Sequence, residues 1–349
     1  MVEERSYKGK KVFVGIDVHS KKYVCAAVCS DAVVKQWTTA PDNESLVSQL
    51  KRNFVGAQIY SAYEAGFSGL SLHRALLKGK IKNIVIHPGH LQIRANDRVK
   101  TDKRDAKKIA KQLSTRDLKA IYVPSETEEA KRSLSRGRAN AVRRVTAASN
   151  KLKMKLYYLG LEVWKTKISE TYLKKLESLN LPHEHKFAIS ELILEYREAK
   201  ACVKRFDNEL AKQATTDKLE AIYRSVPGVG KTSSRVLSNE LGDMSRFDNV
   251  KQLYSYLGLT PSEYSSGEHV RKGRITRQGP ARNRSVLTEV AWRAISKSGV
   301  LKSFYNRLAR KRDSNRAIIA VARKLAGQIR GCLLRNELWN ESKMILNNV

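Results

Sequence analysis

The sequence predicts a mixed α/β domain followed by two mostly helical regions. In the first third, short runs rich in valine and isoleucine alternate with helical patterns, as expected of an α/β domain. In the middle third, apolar residues recur at heptad spacing, and the last third joins glycine-rich loops to amphipathic helices. These changes in pattern predict domains at residues 1–122, 123–223 and 224–349.

The first region begins with three predicted strands that form a meander. Their sequences are KVFVGIDV at 11–18, KYVCAAVCS at 22–30 and VVKQWTT at 33–39. A helix, a strand, a helix and a strand follow, with the sequences NESLVSQLKRNF, AQIYSAYEA, GLSLHRALLKG and IKNIVIHP. A last helix is predicted over 101–114. The order βββαβαβα is that of the RNase H-like fold.

The middle region carries two heptad patterns in a highly charged helical sequence. The first pattern contains Ala141, Val145, Ala148, Leu152, Leu156 and Leu159. The second contains Leu192, Tyr196, Ala199, Val203, Phe206 and Leu210. We predict that two long antiparallel helices form a coiled-coil hairpin, separated by the loop NLPHEH at 180–185. The same seam could serve an internal hairpin or a dimer.

The charge of the chain indicates a polyanionic partner. Its 349 residues include 67 Lys and Arg against 34 Asp and Glu, a formal net charge of +33, and 41% are hydrophobic. This excess in a folded protein favours nucleic acid as the partner, with an anionic membrane surface as the weaker alternative. No apolar run approaches about 18 residues, and the start MVEERSYKGKK is polar. We therefore expect a cytoplasmic protein without a membrane span.

Four carboxylates are found where predicted elements end. Asp17 ends the first strand, Glu64 ends the fourth, and Asp102 and Asp105 share one face of the last helix, with Thr101 as its N-cap. In an RNase H-like fold these ends meet at one edge of the sheet. Converging carboxylates repel one another unless cations neutralise them, and Mg²⁺ is the common choice for phosphate chemistry. Two ions about 4 Å apart can stabilise the attacking and leaving oxygens of a phosphoryl transfer.

Basic residues surround the two helix aspartates, and we predict that they hold a nucleic-acid backbone. They are Arg94, Arg98, Lys100, Lys103, Arg104, Lys107 and Lys108. A simpler interpretation of the two aspartates is that acidic residues in a first helical turn complement the helix dipole. The position of all four acids at element ends favours the metal site.

The segment SVPGVGKT at 225–232 is close to a P-loop but lacks a required glycine. The pattern GxxxxGK[ST] needs glycine five residues before Gly230, and that position is Ser225. ATP binding is therefore rejected. We expect a hairpin between two helices, whose backbone N–H groups and Lys231 face a DNA phosphate. An ordinary helix N-terminus after Pro227 is the alternative.

A loop at 256–284 holds Ser262, Ser265 and Ser266 beside Gly267. The basic residues that follow the serines are Arg271, Lys272, Arg274, Arg277, Arg282 and Arg284. A serine next to a flexible glycine in a basic loop can attack a phosphodiester if a base, a metal or positive charge activates it. The alternative is a loop that only binds phosphate.

Five motifs in matching order, from about residue 11 to residue 335, resemble the DEDD transposases of insertion sequences, which are RNA-guided bridge recombinases. The motifs are GIDVHSKK, YEAG, KTDKRDAKKIA, PGVGKTSSRVLSNELGDMSRF and LGLTPSEYSSG with RKGRITRQG. The resemblance implies a RuvC-like N-terminal domain, a coiled-coil linker and a C-terminal transposase domain in a prokaryotic, nucleoid-associated protein.

The resemblance also implies individual residue roles and partners. The metal site of the chain would consist of Asp17, Glu64, Asp102 and Asp105. The family's nucleophile, in an SG step, falls on Ser266, although Ser265 is adjacent. Donor and target DNA would be substrates, and a non-coding bridge RNA would pair with both. The protein would be a homodimer or tetramer in which the acids of one subunit work with the serine of another.

A structure-specific nuclease of the Holliday-junction-resolvase type is the main alternative function, because it needs only the four acids. The C-terminal third, with its own glycine-rich blocks, counts against it. A non-enzymatic nucleic-acid scaffold would not need the acids. The motif GIDVHS also suits the fold of a sugar-kinase-like ATPase. The net charge of +33 and the missing phosphate loops count against this function.

Overall fold

The computed structural model describes residues 6–91, 101–164, 167–266, 269, 271–311 and 313–342. The chain divides into two compact units, Met1–Pro124 and Ser125–Val349. The first unit is a mixed α/β structure built on a five-stranded sheet, and the second is mostly helical.

The first unit contains five strands and three α-helices among its described residues. In chain order they are β1 (Lys11–Val18), β2 (Tyr23–Cys29), β3 (Ala32–Thr39), α1 (Asn43–Asn53), β4 (Gln58–Glu64), α2 (Ser71–Lys78), β5 (Lys82–Ile86) and α3 (Asp102–Ser114). The strand order is β3-β2-β1-β4-β5. Strand β2 is antiparallel to both of its neighbours, and β4 is parallel to β1 and β5. This topology agrees with the predicted RNase H-like order.

The central strand β1 is buried on both faces of the sheet. Val12, Val14 and Ile16 lie in a core that includes Leu46 of α1 and Leu72 of α2. Because successive side chains of a strand point to opposite faces, the residues between them face the other side of the sheet. That second face is covered by α3.

Helix α3 lies directly on β1 because Gly15 has no side chain. A Cβ atom at Gly15 would be 2.1 Å from the carbonyl oxygen of Ala106 and 2.5 Å from the backbone nitrogen of Ala110. A contact between two backbones leaves no room for a substituent. The close approach of α3 to β1 therefore depends on the missing side chain of Gly15.

The second unit contains nine α-helices and a short hairpin among its described residues. In chain order they are α4 (Glu126–Tyr158), α5 (Glu170–Glu177), α6 (His183–Thr216), α7 (Glu220–Ser225), α8 (Lys231–Leu241), α9 (Val250–Tyr256), β6 (Pro261–Glu263), β7 (Lys272–Ile275), α10 (Ala281–Ala294), α11 (Gly299–Ala309) and α12 (Ser314–Arg335). Strands β6 and β7 pair antiparallel.

Helices α4 and α6 are antiparallel and pack along the faces that the heptad patterns predicted. Leu152 and Leu156 of α4 are buried in one hydrophobic cluster with Tyr196 of α6. The ion pair between Arg138 and Asp207, at 2.5 Å, joins the two helices farther along. The supercoil of a coiled coil and pairing between subunits stay predictions.

The connection between these two helices differs from the predicted loop at 180–185. Helix α4 is followed by Gly160, whose φ of +67° stops the helix. The short helix α5 then begins after Ser169, whose hydroxyl accepts a hydrogen bond from the N–H of Tyr172 at 3.1 Å. A local cap thus adds a helix that the heptad spacing alone could not indicate.

Helix α12 is central to the C-terminal helices. Its residues Ile318, Val321 and Leu325 are buried in a core with Leu253 of α9 and Leu287 of α10. The predicted apolar stripes therefore pack into one core. In the part of the chain that the structure describes, no helix is both long and apolar enough to cross a membrane.

Candidate functional site

Asp17 and Glu64 lie at the same edge of the sheet on neighbouring strands. Strands β1 and β4 pair in parallel with Ile16 beside Tyr63, and each acid follows that pair by one residue. Ile16 and Tyr63 belong to the core shared with α1 and α2. Alternation along the strands therefore places both acids on the face that α3 covers. Both side chains are half-buried.

The first turn of α3 brings Asp102 to the end of β1. Thr101 caps this helix, because its hydroxyl accepts a hydrogen bond from a backbone N–H of the first turn at 3.4 Å. The helix crosses β1 with Ala106 over Gly15. Asp17 lies two residues after Gly15 in β1, and Asp102 lies one turn before Ala106 in α3. The N-terminus of the helix is therefore next to Asp17.

Asp17, His19 and Asp102 form a compact cluster of potential ligands. One ligand atom from each lies within 4.8 Å of the other two. His19 Nε2 is 3.0 Å from Asp17 Oδ2 and 3.5 Å from Asp102 Oδ2. His19 stands in the turn after β1, where its backbone N–H donates to the carbonyl of Lys22 at 3.0 Å. A strand, a turn and a helix each contribute one ligand atom.

The two aspartates of this cluster have opposite pKa shifts. Burial raises the pKa of Asp17, and the charges of Asp102 and Asp105 also raise it, although His19 opposes them. A hydrogen bond from Lys22, whose Nζ is 2.7 Å from Asp102 Oδ2, lowers the pKa of Asp102. The negative charge of Asp17 is therefore unfavourable in the protein alone, and a bound cation would offset that cost.

Asp105 and Glu64 lie outside the three-residue cluster. Asp105 is close enough for its charge to raise the pKa of Asp17. Glu64 lies one residue after the Ile16–Tyr63 pair, at the same edge of the sheet. The structure therefore brings Asp17 and Asp102 into one group and leaves the other two predicted acids as its neighbours.

His19 was absent from the residues that sequence reasoning selected. Its signal was its position in GIDVHS, two residues after Asp17 and directly after the first predicted strand. The carboxylates suit a hard divalent cation such as Mg²⁺, and the imidazole is also a common metal ligand. The residues present therefore fit a divalent cation.

The basic side chains predicted around the helix aspartates are partly described by the structure. Lys103, Arg104 and Lys107 are exposed on α3, and Lys108 is half-buried. The other predicted contacts, Arg94, Arg98 and Lys100, lie outside the described residues. The contact of these side chains with phosphates stays a prediction.

The glycine hairpin predicted at 225–232 connects α7 to α8. Gly228 has a φ of +82°, and a Cβ atom there would be 2.5 Å from the carbonyl oxygen of Val290 and 2.8 Å from the backbone nitrogen of Ala294. The hairpin thus packs on α10, which accounts for this glycine without a bound phosphate. Lys231 is the exposed first residue of α8, and its contact with DNA stays a prediction.

Ser266 lies beyond β6 in the loop that leads to β7. Its N–H donates to the carbonyl of His269 at 3.3 Å, and the N–H of His269 donates back at 3.2 Å. These two residues therefore form an isolated antiparallel bridge, and the side chain of Ser266 is exposed. Gly267, which we expected to supply flexibility, lies outside the described residues.

Ser265 differs from Ser266 in its contacts. The hydroxyl of Ser265 donates to Glu263 at 2.9 Å and accepts from the N–H of Arg271 at 3.2 Å. The Ser265 hydroxyl therefore links the two sides of the hairpin through hydrogen bonds. Among the described residues, the Ser266 hydroxyl has no such hydrogen bond.

The basic residues after the serines divide into two groups. The exposed group comprises Arg271, Lys272, Arg274 and Arg277. Arg282 and Arg284 are half-buried and donate to backbone carbonyls, Arg282 Nη1 to Ser135 at 3.0 Å and Arg284 Nη1 to Leu257 at 3.0 Å. Burial lowers the pKa of both guanidinium groups. These two arginines have structural contacts whatever else they bind.

An RNase H-like sheet with clustered acids at its edge is typical of enzymes that act on the nucleic-acid backbone. The family model described as "Transposase IS116/IS110/IS902 family" matches residues 220–306. The model of the DEDD transposases of IS110 matches residues 14–158, which include all four predicted acids.

Individual relatives extend the similarity over most of the chain. The protein is 30% identical over 295 residues to the "Putative transposase y4qE" of Sinorhizobium fredii, with 81% of this chain and 72% of that protein covered. It is 24% identical over 280 residues to the transposase for insertion sequence element IS1111A of Coxiella burnetii, covering 76% and 75%. The transposase for IS1533 of Leptospira borgpetersenii is 24% identical over 296 residues, covering 81% and 85%.

The chain therefore belongs to the IS116/IS110/IS902 family of transposases. This membership makes it a DNA-cutting and rejoining enzyme with a DEDD-type domain.

Proposed function

We propose that this transposase cuts and rejoins the DNA of an insertion sequence with two groups of residues. One is a divalent-metal site around Asp17 and Asp102, and the other is the hydroxyl of Ser266. The observation that carries the proposal is the meeting of Asp17, His19 and Asp102 ligand atoms within 4.8 Å at the edge of the sheet. Family membership supports DNA as the substrate.

Asp17 and Asp102 would hold the metal, with Glu64 and Asp105 available to complete an oxygen-rich site that suits Mg²⁺. When bound, the ion would stabilise the negative charge that develops on phosphate oxygens during strand cleavage. The chain itself orients the ligands. The packing of α3 on Gly15 holds Asp102 near Asp17, and exposed Lys103 and Arg104 would hold the DNA backbone beside them.

The serine step would transfer a DNA strand to the protein. The Ser266 oxygen attacks a phosphodiester phosphorus, so that a serine O–P bond forms while the bond from phosphorus to the leaving deoxyribose oxygen breaks. The serine proton passes to a base or to water, and the leaving oxygen gains a proton. The reverse attack by a DNA hydroxyl rejoins a strand without an external energy source. Exposed Arg271, Lys272 and Arg274 support phosphate binding around this hairpin.

A non-coding bridge RNA is the proposed guide, and a homodimer or tetramer is the proposed assembly. The resemblance to the bridge recombinases and the net charge of +33 support an RNA partner in addition to donor and target DNA. The test is to sequence RNA that copurifies with the protein. One enriched non-coding RNA with segments complementary to two DNA sites is expected, whereas a random sample of cellular RNA would contradict guidance.

The metal site is tested by strand cleavage on DNA that carries the ends of the element, with the copurified RNA present. Asp17→Asn and Asp102→Asn should bind this DNA but not cleave it at any Mg²⁺ concentration. Asp117→Asn, which changes an exposed carboxylate of the same unit, should cleave normally. Wild-type cleavage by Asp17→Asn would refute the site. If Ser266→Ala cleaves at the wild-type rate while Asp17→Asn does not, the enzyme is a RuvC-like nuclease without serine chemistry.

A further inference from the structure

We infer that His19 is itself a ligand of the divalent cation held by Asp17 and Asp102, and that it raises the affinity of this site for transition-metal ions relative to Mg²⁺. This inference rests on the proposed function, because it needs the metal site. The four-acid set predicted from the sequence contains only oxygen ligands, so a nitrogen ligand would change which ion the enzyme prefers.

The geometry of His19 points to ligation. The same atom, Nε2, approaches Asp17 Oδ2 at 3.0 Å and Asp102 Oδ2 at 3.5 Å. A histidine that only positioned Asp17 would need one carboxylate partner, whereas this nitrogen lies beside both proposed ligands. One ion can contact the three atoms, because all of them lie within 4.8 Å of one another.

The backbone holds His19 at this position. It follows the last residue of β1, Val18, which pairs with Tyr23 at the start of β2. The His19 N–H then donates to the Lys22 carbonyl at 3.0 Å, which closes the turn between the strands. The imidazole therefore extends from a short hairpin turn rather than from a long loop, and its approach to Asp17 is set by the β1–β2 pairing.

The chemistry of the ligand decides the metal preference. Mg²⁺ loses its water reluctantly and is bound mainly through oxygen, whereas imidazole suits ions such as Co²⁺, Ni²⁺ and Zn²⁺. Ligation requires the Nε2 lone pair, so binding releases the proton when Nε2 carries it and leaves hydrogen on Nδ1. A site with two carboxylates and one imidazole should therefore bind Co²⁺ more tightly, relative to Mg²⁺, than a site with carboxylates alone.

The test uses the full-length protein after its nucleic acid has been removed with nuclease and high salt. Pulsed electron paramagnetic resonance of bound Mn²⁺ reports a directly coordinated imidazole nitrogen, and titration calorimetry gives the affinities for Co²⁺ and Mg²⁺. The variants are His19→Ala and His19→Gln, the second of which keeps a polar side chain in the turn. His183→Ala, at the exposed start of α6, is the matched control, and thermal unfolding checks that each variant folds.

Wild type and His183→Ala should show the nitrogen signal, and both His19 variants should lose it. Loss of His19 should weaken Co²⁺ binding by roughly 10-fold or more, with a change in Mg²⁺ affinity below about 3-fold. If Asp17→Asn abolishes Mn²⁺ binding but the nitrogen signal is absent from wild type or survives in His19→Ala, the inference is wrong and the metal site stands. Equal Mn²⁺ binding by wild type and Asp17→Asn would contradict the metal site as well.

Discussion

Lys22 Nζ lies 2.7 Å from Asp102 Oδ2, so an ammonium group of the protein neutralises one acid of the candidate metal site. The same contact lowers the pKa of Asp102. Both side chains are nearly half exposed, which means that the pair can open without unfolding the turn. A divalent cation that binds Asp102 would compete with Lys22 for this carboxylate.

The first prediction is that Lys22→Met binds Mg²⁺ more tightly than wild type when no DNA is present. The gain should be up to about five-fold, because exposed ion pairs contribute roughly 0.2–1 kcal/mol. Titration calorimetry measures it, with Lys21→Met, which removes a neighbouring exposed charge, as the control. Weaker Mg²⁺ binding by Lys22→Met alone would show that Lys22 supports the site instead of competing with the ion.

The second prediction concerns the contact between β1 and α3. Gly15→Ala should lower the free energy of unfolding by roughly 1–3 kcal/mol or more, because its Cβ would overlap the backbone of Ala106 and Ala110. It should also weaken Mg²⁺ binding, since α3 must shift. Gly299→Ala, whose Cβ would meet nothing within 4 Å, should unfold as wild type does in urea. Equal stability of the two variants would mean that α3 does not rest on Gly15.

The third prediction follows from the raised pKa of Asp17. An acid whose pKa is higher in the folded state destabilises the protein above that pKa, and this cost disappears below the unfolded value. Metal-free Asp17→Asn should therefore be at least as stable as wild type at pH 7, with an advantage that shrinks as the pH falls toward about 4. Thermal unfolding in a chelator measures this.

The same thermal unfolding experiment with Mg²⁺ separates the unfavourable charge of Asp17 from its contribution to metal binding. Bound metal stabilises the folded state, so Mg²⁺ should raise the melting temperature of wild type but not that of Asp17→Asn. A variant that is less stable than wild type in chelator at every pH would contradict the assigned cost of the Asp17 charge. An equal response of both proteins to Mg²⁺ would place the bound metal elsewhere.

The fourth prediction separates nucleic-acid contacts from structural arginines. Arg274→Gln removes an exposed charge and should reduce the salt dependence of DNA binding by about one phosphate contact, with unchanged stability. Arg282→Gln removes the hydrogen bond from the half-buried guanidinium to the Ser135 carbonyl and should cost roughly 1–3 kcal/mol of stability. Binding measured across salt concentrations and urea unfolding give both results. If Arg282→Gln changed the salt dependence and Arg274→Gln lowered the stability, Arg282 would be the nucleic-acid contact and Arg274 the structural arginine.

The fold of the first unit was largely predictable, because the sequence patterns that indicate its strands and helix ends are local. The β-branched run KVFVGIDV corresponds to β1, and the strand predicted within AQIYSAYEA corresponds to β4. Thr101 caps α3, as its position before Asp102 predicted. The sheet order then follows from known fold rules, and it brings the ends of these elements to one edge. That is why Asp17 and Asp102 could be proposed as partners before the structure was known.

Other features depend on tertiary contacts that the sequence does not display. Nothing near Gly15 indicates that its missing side chain admits the backbone of Ala106. Arg282 stands in a basic loop and was predicted to bind nucleic acid, yet its partner, the carbonyl of Ser135, is far away in the chain. His19 had a usable spacing signal, but its approach to Asp102 depends on where α3 packs.

The most direct test of the account is to trap the covalent intermediate on a nicked DNA substrate that cannot be rejoined. Wild-type protein with Mg²⁺ should form a protein–DNA adduct whose peptide map assigns the link to Ser266, and Ser265→Ala should still form it. Asp17→Asn and Ser266→Ala should form none. An adduct on Ser265, or an undiminished adduct with Asp17→Asn, would contradict the claim that the acidic cluster and Ser266 together carry out strand cleavage.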